Sequence, residues 1–181
     1  HLWMSDTCWR WAQRLTIGQF QEYIDVRSAQ GFNHVRGHFN SMDDGVANEG
    51  GAPFTNGNWD TVNPGYWLGV DTRLGYANSK GITMDLTVGS GSRWPAITGT
   101  QRDRYLKYLV ARYAAYHITW EGLSEYEDHL DGLNLINAIG NFIKASDPYQ
   151  RPRSTHTTGS NSELVPFGWL DWIMYQGSAD P

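Results

Sequence analysis

With 181 residues, of which 40% are hydrophobic and 18% charged, the chain can fill one sizeable core but is short for two comfortable domains, so residues 1–181 are expected to form a single domain. No apolar run reaches membrane-spanning length, and a net charge of −5 with scattered Lys and Arg argues against a nucleic-acid partner. The one cysteine, Cys8, excludes an internal disulfide and any cysteine-based zinc cluster.

Residues 2–5 read as a short apolar strand that runs into Asp6. Thr16-x-x-Gln19 is a capping box, Phe20, Tyr23 and Ile24 give the apolar stripe behind it, and Gly31 closes that helix. A second strand spans 32–38, followed by a polar loop over 39–62 rich in Gly and Asn. Asn63-Pro64 supplies an N-cap with Pro at the first helical position. Trp67, Val70, Leu74 and Ala77 then recur at helical spacing until Gly81. Over 82–88, Ile82, Met84, Leu86 and Val88 alternate with Thr83, Asp85 and Thr87, a strand with one apolar and one polar face. Beyond the 89–99 loop, Thr98-x-x-Gln101 caps a helix with the stripe Leu106, Leu109, Val110 and Tyr113. A fourth strand is expected at 117–125, and a fourth helix carries Leu133, Ile136, Ile139 and Ile143 as far as Asp147-Pro148. Residues 154–158 and 170–176 supply a fifth and a sixth strand.

This alternation requires a parallel sheet with helices outside it. A doubly wound sheet and a closed barrel both satisfy that order. A central strand of a doubly wound sheet is apolar on both faces, whereas a barrel interior near its active end tolerates polar groups. The polar set on the third strand therefore favours the barrel. A dinucleotide-binding sheet would also need a glycine-rich turn after its first strand, where this chain has Asp6-Thr7-Cys8-Trp9. The expected fold is an incomplete α/β (β/α)8 TIM barrel of about six βα units.

Working residues of such barrels sit at the C-terminal ends of the strands. Those ends offer Asp6 and Trp9, Arg36 and His38, the loop bearing Trp94, Glu125, His156, and finally Tyr175 and Gln176. Carboxylates, Arg and His are suited to sugar hydroxyls, and aromatic faces to sugar ring carbons. The nine Trp, ten Tyr and six Phe serve that purpose or simply fill core space.

The segment Trp120-Glu121-Gly122-Leu123-Ser124-Glu125-Tyr126 resembles the fourth-strand motif of clan A glycoside hydrolases, an aromatic-Glu-x-x-Asn-Glu stretch whose final Glu protonates the leaving oxygen. Asp6-Thr7-Cys8-Trp9-Arg10 with Leu15-Thr16 resembles the opening of the apiosidase-like barrel family. Asn63-Pro64-Gly65-Tyr66-Trp67 and Trp169-Leu170-Asp171-Trp172-Ile173-Met174-Tyr175-Gln176 resemble later segments of the same family. The resemblance implies a retaining glycosidase that needs no cofactor and no metal and acts on a poly- or oligosaccharide, with Glu125 as catalytic acid/base. It also implies a secreted or periplasmic location, although no secretory signal is visible. Ser124 stands where the clan has the Asn that holds a sugar hydroxyl; the shorter side chain cannot both donate and accept in that geometry. The family's nucleophile comes from a seventh strand, and this chain is expected to stop after the sixth, truncated relative to the full barrel. Glu163 is the one internal substitute worth naming. A general acid at Glu125 would need burial or a neighbouring carboxylate to keep its proton near neutral pH.

Several plainer readings compete. Glu125 and the acidic stretch at 126–131 also suit a helix start, where negative charge is favourable. Glu121 is read as a structural partner inside the barrel. His34 and His38 have a metal-pair spacing, but on a strand and with no acidic third ligand nearby. At the level of function, the rival is a catalytically inert carbohydrate-binding barrel or an enzyme fragment without its nucleophile. A metal-dependent amidohydrolase barrel would need four or more clustered ligands. Open sheet edges would invite self-association.

Overall fold

A computed structural model of the chain describes residues 2–40 and 46–177, so residues 41–45 of the expected polar loop lie outside the description. Five parallel strands pair in sequence order: β1 (Ser5–Thr7), β2 (His34–His38), β3 (Thr83–Ser90), β4 (Ile118–Ser124) and β5 (Arg153–Ser154). The helices α1 (Trp11–Arg14) and α2 (Ile17–Ala29) connect β1 to β2. Single crossovers through α3 (Pro64–Ser79), α4 (Gly99–Tyr113) and α5 (Gly132–Ser146) make the next three connections.

Local chemistry sets these helix ends. The hydroxyls of Thr16 and Thr98 accept the amides of Gln19 and Gln101, whose side chains return to the cap backbone, which satisfies donors the helix itself leaves open. Asn63 accepts the Gly65 amide with Pro64 in the first turn. The one-turn helix α1 is too short to announce itself by periodicity, yet it buries Trp11 and Ala12 completely.

Strands β2 and β4 are buried along their whole length, and β3 along all but its first residue. Ile82, Met84, Leu86 and Val88 join Leu74, Leu106, Leu109, Ile136 and Ile139 in the apolar core, each contributing roughly 1.5–3 kcal/mol of burial. The alternate residues are polar yet also buried: His34, Arg36, His38, Asp85, Thr87, Thr119 and Glu121.

The sheet must curve strongly. His34 Nε2 lies 3.1 Å from Thr119 Oγ1, bridging β2 and β4 across β3, although strands two places apart in a flat sheet are roughly 9.5 Å apart. At the C-terminal ends, the rings of Trp9 and His156 are 5.5 Å apart. Below the sheet, those of Trp3 and Trp172 are 5.6 Å apart. Contacts between the β1 and β5 sides at both ends give one wall of a (β/α)8 barrel curled around a polar interior.

The strand at 170–176 is not formed. Asp171 runs beside β5, donating its amide to the Arg153 carbonyl at 2.8 Å, but its own carboxylate takes the Arg153 amide, also at 2.8 Å. A side chain thus replaces the backbone acceptor that a ladder needs, and only an isolated antiparallel bridge, Ser160 to Tyr175, follows. The same substitution shifts the first strand from 2–5 to Ser5–Thr7. Asn33 takes the Met4 amide with its side chain, and Trp3 stacks on His34 at 4.9 Å. The fifth strand is likewise shorter than expected. The segment after it is held on α5, where a Cβ at Gly140 would come within 2.2 Å of the Trp169 ring and Trp169 Nε1 donates to Asn137 Oδ1 at 2.8 Å. No helix among the described residues is long and apolar enough to cross a membrane.

Candidate active site

Strand register stacks the interior in layers. Arg36 is level with Asp85 and Thr119, and His38 is level with Thr87 and Glu121. Arg36 reaches up one layer, and its Nε and one terminal nitrogen donate to the two oxygens of Glu121. The Asp85 carboxyl lies beneath, accepting the Thr119 hydroxyl at 2.8 Å, with its other oxygen 3.8 Å from Arg36 Nε. One guanidinium therefore faces two fully buried carboxyls. Burial pushes Asp85 well above the usual carboxylate range, reinforced by the charge of Glu121. Burial acts on Glu121 too, but the charge and hydrogen bonds of Arg36 outweigh it and hold Glu121 below its ordinary value. The interior is thus an Arg36–Glu121 ion pair beside Asp85, whose protonated form is favoured by burial and by the charge of Glu121.

The two strand histidines titrate low because burial disfavours their charged forms and Arg36 adds repulsion. His34 and His38 are each pushed down to about 4. His34 is held between the hydroxyls of Ser5 at 2.7 Å and Thr119 at 3.1 Å. His38 Nε2 is buried with no hydrogen-bond partner among the described residues.

Above this interior opens a cavity of about 290 Å³ lined by Trp9, Arg10, His38, Ser90, Arg93, Ser124 and Glu125. Trp9 is its aromatic wall. The Arg36 guanidinium lies 4.4 Å from the centre of its ring, and His38 and His156 meet it edge to face at 5.1 and 5.5 Å. With 42% of its surface still exposed, Trp9 is fixed in place and open to a ligand. Ser124 Oγ lies 3.2 Å from His156 Nδ1, and burial lowers His156 below its ordinary value.

Glu125 stands at the end of β4 in a left-handed conformation, φ 51° and ψ 52°. For a residue other than glycine such a backbone costs about 1–3 kcal/mol, and the surroundings must impose it. Here the Glu125 amide donates to the His156 carbonyl at 2.9 Å and its carbonyl accepts the Asp128 amide at 3.1 Å. Gly91 packs against it so closely that a Cβ there would come within 2.0 Å of the Glu125 carbonyl oxygen. Three segments therefore fix the backbone of Glu125 at the strand end, where the residue lines the cavity.

The structure brings Trp9, His38, Ser124 and Glu125 into one cavity wall, with Arg36 and His156 behind Trp9. It does not bring in Asp6, whose carboxylate accepts from Tyr23 and Arg27 of α2. Trp94 lines a neighbouring cleft instead. Tyr175 and Gln176 are exposed, a consequence of the missing sixth strand. Glu163 accepts the Tyr126 hydroxyl and does not line the cavity. Arg10, Ser90 and Arg93 were not anticipated, although Ser90 ends β3 and Arg10 and Arg93 each lie three residues past a strand end, positions that could have marked them. No three His, Cys, Asp or Glu among the described residues gather as a metal site.

A family model described as the apiosidase-like catalytic domain matches residues 1–180. The fold matches a glycoside hydrolase at 22% identity and TM-score 0.81, over 98% of this chain and 42% of that one. It matches a glycoside hydrolase family 5 protein from Bacteroides vulgatus at 24% identity and TM-score 0.85, over 98% and 41%. An endo-1,4-beta-D-mannanase from Thermotoga petrophila matches at 12% identity and TM-score 0.62, over 88% and 56%. The chain thus spans about two fifths of the length of the first two. No curated protein matches it.

Two predictions concern the interior. Glu121→Ala strands Arg36 as an uncompensated buried cation and is expected to cost about 3–5 kcal/mol, measured from urea unfolding curves; a loss under about 1 kcal/mol would show that the pair is not buried. The second concerns pH. His34 and His38 bind protons near 6.5 when unfolded but only near 4 when folded, so between those values the unfolded chain holds more protons. Stability should therefore be full above about pH 6.5 and fall as pH drops toward 4. The double variant His34→Gln/His38→Gln should flatten that slope in urea titrations from pH 4 to 7, and an unchanged slope would rule the histidines out.

Proposed function

The chain belongs to the apiosidase-like family of catalytic domains, and on that premise we propose that it serves the hydrolysis of a glycosidic bond in a poly- or oligosaccharide, with Glu125 as acid/base and without a cofactor. The observation that carries this reading is the single carboxylate in the cavity wall, Glu125, held in a left-handed backbone in the same cavity as a partly exposed Trp9.

The chemistry follows from those positions. A sugar ring lies on the Trp9 face, where an aromatic surface matches its apolar ring carbons. Glu125 donates its proton to the glycosidic oxygen as the bond to the ring carbon breaks, and positive charge builds on the ring. In a retaining mechanism a second carboxylate, roughly 5 Å from the first, attacks that carbon; Glu125 then deprotonates the water that releases the sugar. None of the cavity-lining residues supplies that carboxylate. This reading therefore assigns the nucleophile to a later strand, consistent with a chain that spans about two fifths of its structural relatives. The same observation favours a second reading, in which this chain alone binds sugar and does not cleave it. A polysaccharide substrate suits a secreted or periplasmic protein.

Self-association through the sheet edges is the alternative to that longer barrel, for a chain that stands alone. The outer side of β1 has no ladder partner among the described residues, and open edges recruit other strands. Light scattering is expected to show a dimer or larger species, and a monomer at micromolar concentration would remove this part.

For the site, the expected result is oligosaccharide binding that Trp9→Ala weakens several-fold and Glu125→Gln leaves nearly intact. Any release of reducing sugar should be slow and should disappear in Glu125→Gln. Strong hydrolysis that survives Glu125→Gln, in a reducing-sugar assay, would overturn the assignment of Glu125.

A further inference from the structure

Trp94 stands apart from the Glu125 cavity, and its own surroundings have the make-up of a binding site. With Pro95, Ile97, Arg102, His129, Asp131 and Asn134, among others, it lines a cleft of about 390 Å³ between the loop that precedes α4 and the start of α5. The Trp94 ring is backed rather than loose: it leans on Trp59 at 6.3 Å, and Trp59 in turn stacks on Phe54 at 4.2 Å and meets the buried Tyr105 edge to face at 5.2 Å. The indole thus packs against the aromatic edge of the core while the residue stays only partly buried.

The opposite wall is polar and ordered. The Asp131 amide donates to His129 Nδ1 at 3.1 Å, which places the proton of a neutral ring on Nε2 and makes that atom a donor. Asn134 donates to Asp131 Oδ1 at 2.7 Å, leaving carbonyl and carboxylate oxygens as acceptors. Arg102, oriented by Asp103 at 2.7 Å, adds a cation at the rim. A supported aromatic face opposite mixed donors and acceptors suits a neutral polyhydroxylated ring rather than an anion or an apolar tail.

The cleft and the first cavity draw on the same two stretches of chain. Arg93 lines one and Trp94 the other, so a single peptide unit separates them. On the other side, the 3-10 turn Tyr126–Asp128 leads from Glu125 of the cavity directly to His129 of the cleft. Neighbouring residues of both stretches therefore contribute to the two openings.

We propose that the Trp94 cleft binds a further unit of the same sugar chain whose scissile region occupies the Glu125 cavity, so that the protein selects extended oligosaccharides over short ones. This inference rests on the reading of the Glu125 cavity as a sugar site, and the test separates the two.

Cello-, xylo- and manno-oligosaccharides of two to six units are titrated calorimetrically into the 181-residue chain. For the series that binds, affinity is expected to rise with length by roughly two- to ten-fold, the scale of one aromatic stacking contact. Trp94→Ala should abolish that rise and leave disaccharide binding unchanged, Trp94→Tyr should restore most of it, and Trp9→Ala should weaken every length alike. A rise with length that survives Trp94→Ala overturns the proposal while the Glu125 reading stands. Trp94→Ala weakening the shortest and longest sugars equally also overturns it, because Trp94 would then act through the first cavity or the fold. If no series binds, but circular dichroism shows a folded chain, the sugar-site reading fails and this inference falls with it.

Discussion

The Arg36–Glu121 ion pair is the constraint on which the interior depends. Taking two charges out of water costs several kcal/mol for each ion, and only good geometry with full hydrogen bonding offsets that. Here Arg36 meets both oxygens of Glu121 across an intervening strand, which holds β2 and β4 closer than a flat sheet would. Asp85 sits on the strand between them, where burial and then the charge of Glu121 push its carboxyl well above the usual range. The same guanidinium supports the Trp9 ring. Curvature, interior charge and the aromatic wall of the cavity are therefore one linked arrangement.

The site above it follows from that linkage. Parallel strands deliver their C-terminal ends to one mouth, and curvature brings ends four strands apart within contact, as Trp9 and His156 show. Glu125 is aimed by backbone rather than by side-chain partners: the left-handed turn, the His156 carbonyl and the close approach of Gly91 together fix where its carboxylate leaves the strand. Strain at such a point is tolerated because the surrounding ladder is rigid. The cavity around Trp9 and the cleft around Trp94 both take residues from the loop that carries Arg93 and from the segment that follows β4.

Local chemistry in the sequence determined a good deal. The caps at Thr16, Asn63 and Thr98 and the apolar stripes behind them located α2, α3 and α4, because capping and helical periodicity act within a few residues. Alternation in β3 revealed a polar interior, and hence a barrel wall rather than a doubly wound sheet. The strand-end rule and the motif around Glu125 pointed to Trp9, His38, Ser124 and Glu125 together. Only the tertiary structure decided the remainder. Whether 170–176 pairs as a strand depends on the Asp171 carboxylate occupying the Arg153 amide, a contact between positions 18 residues apart. Asp6 is drawn away by Arg27 and Tyr23 of α2, and Trp94 is drawn to Trp59 from the long loop. Those outcomes turn on which long-range partner reaches a side chain first in space, and spacing along the chain carries no record of that.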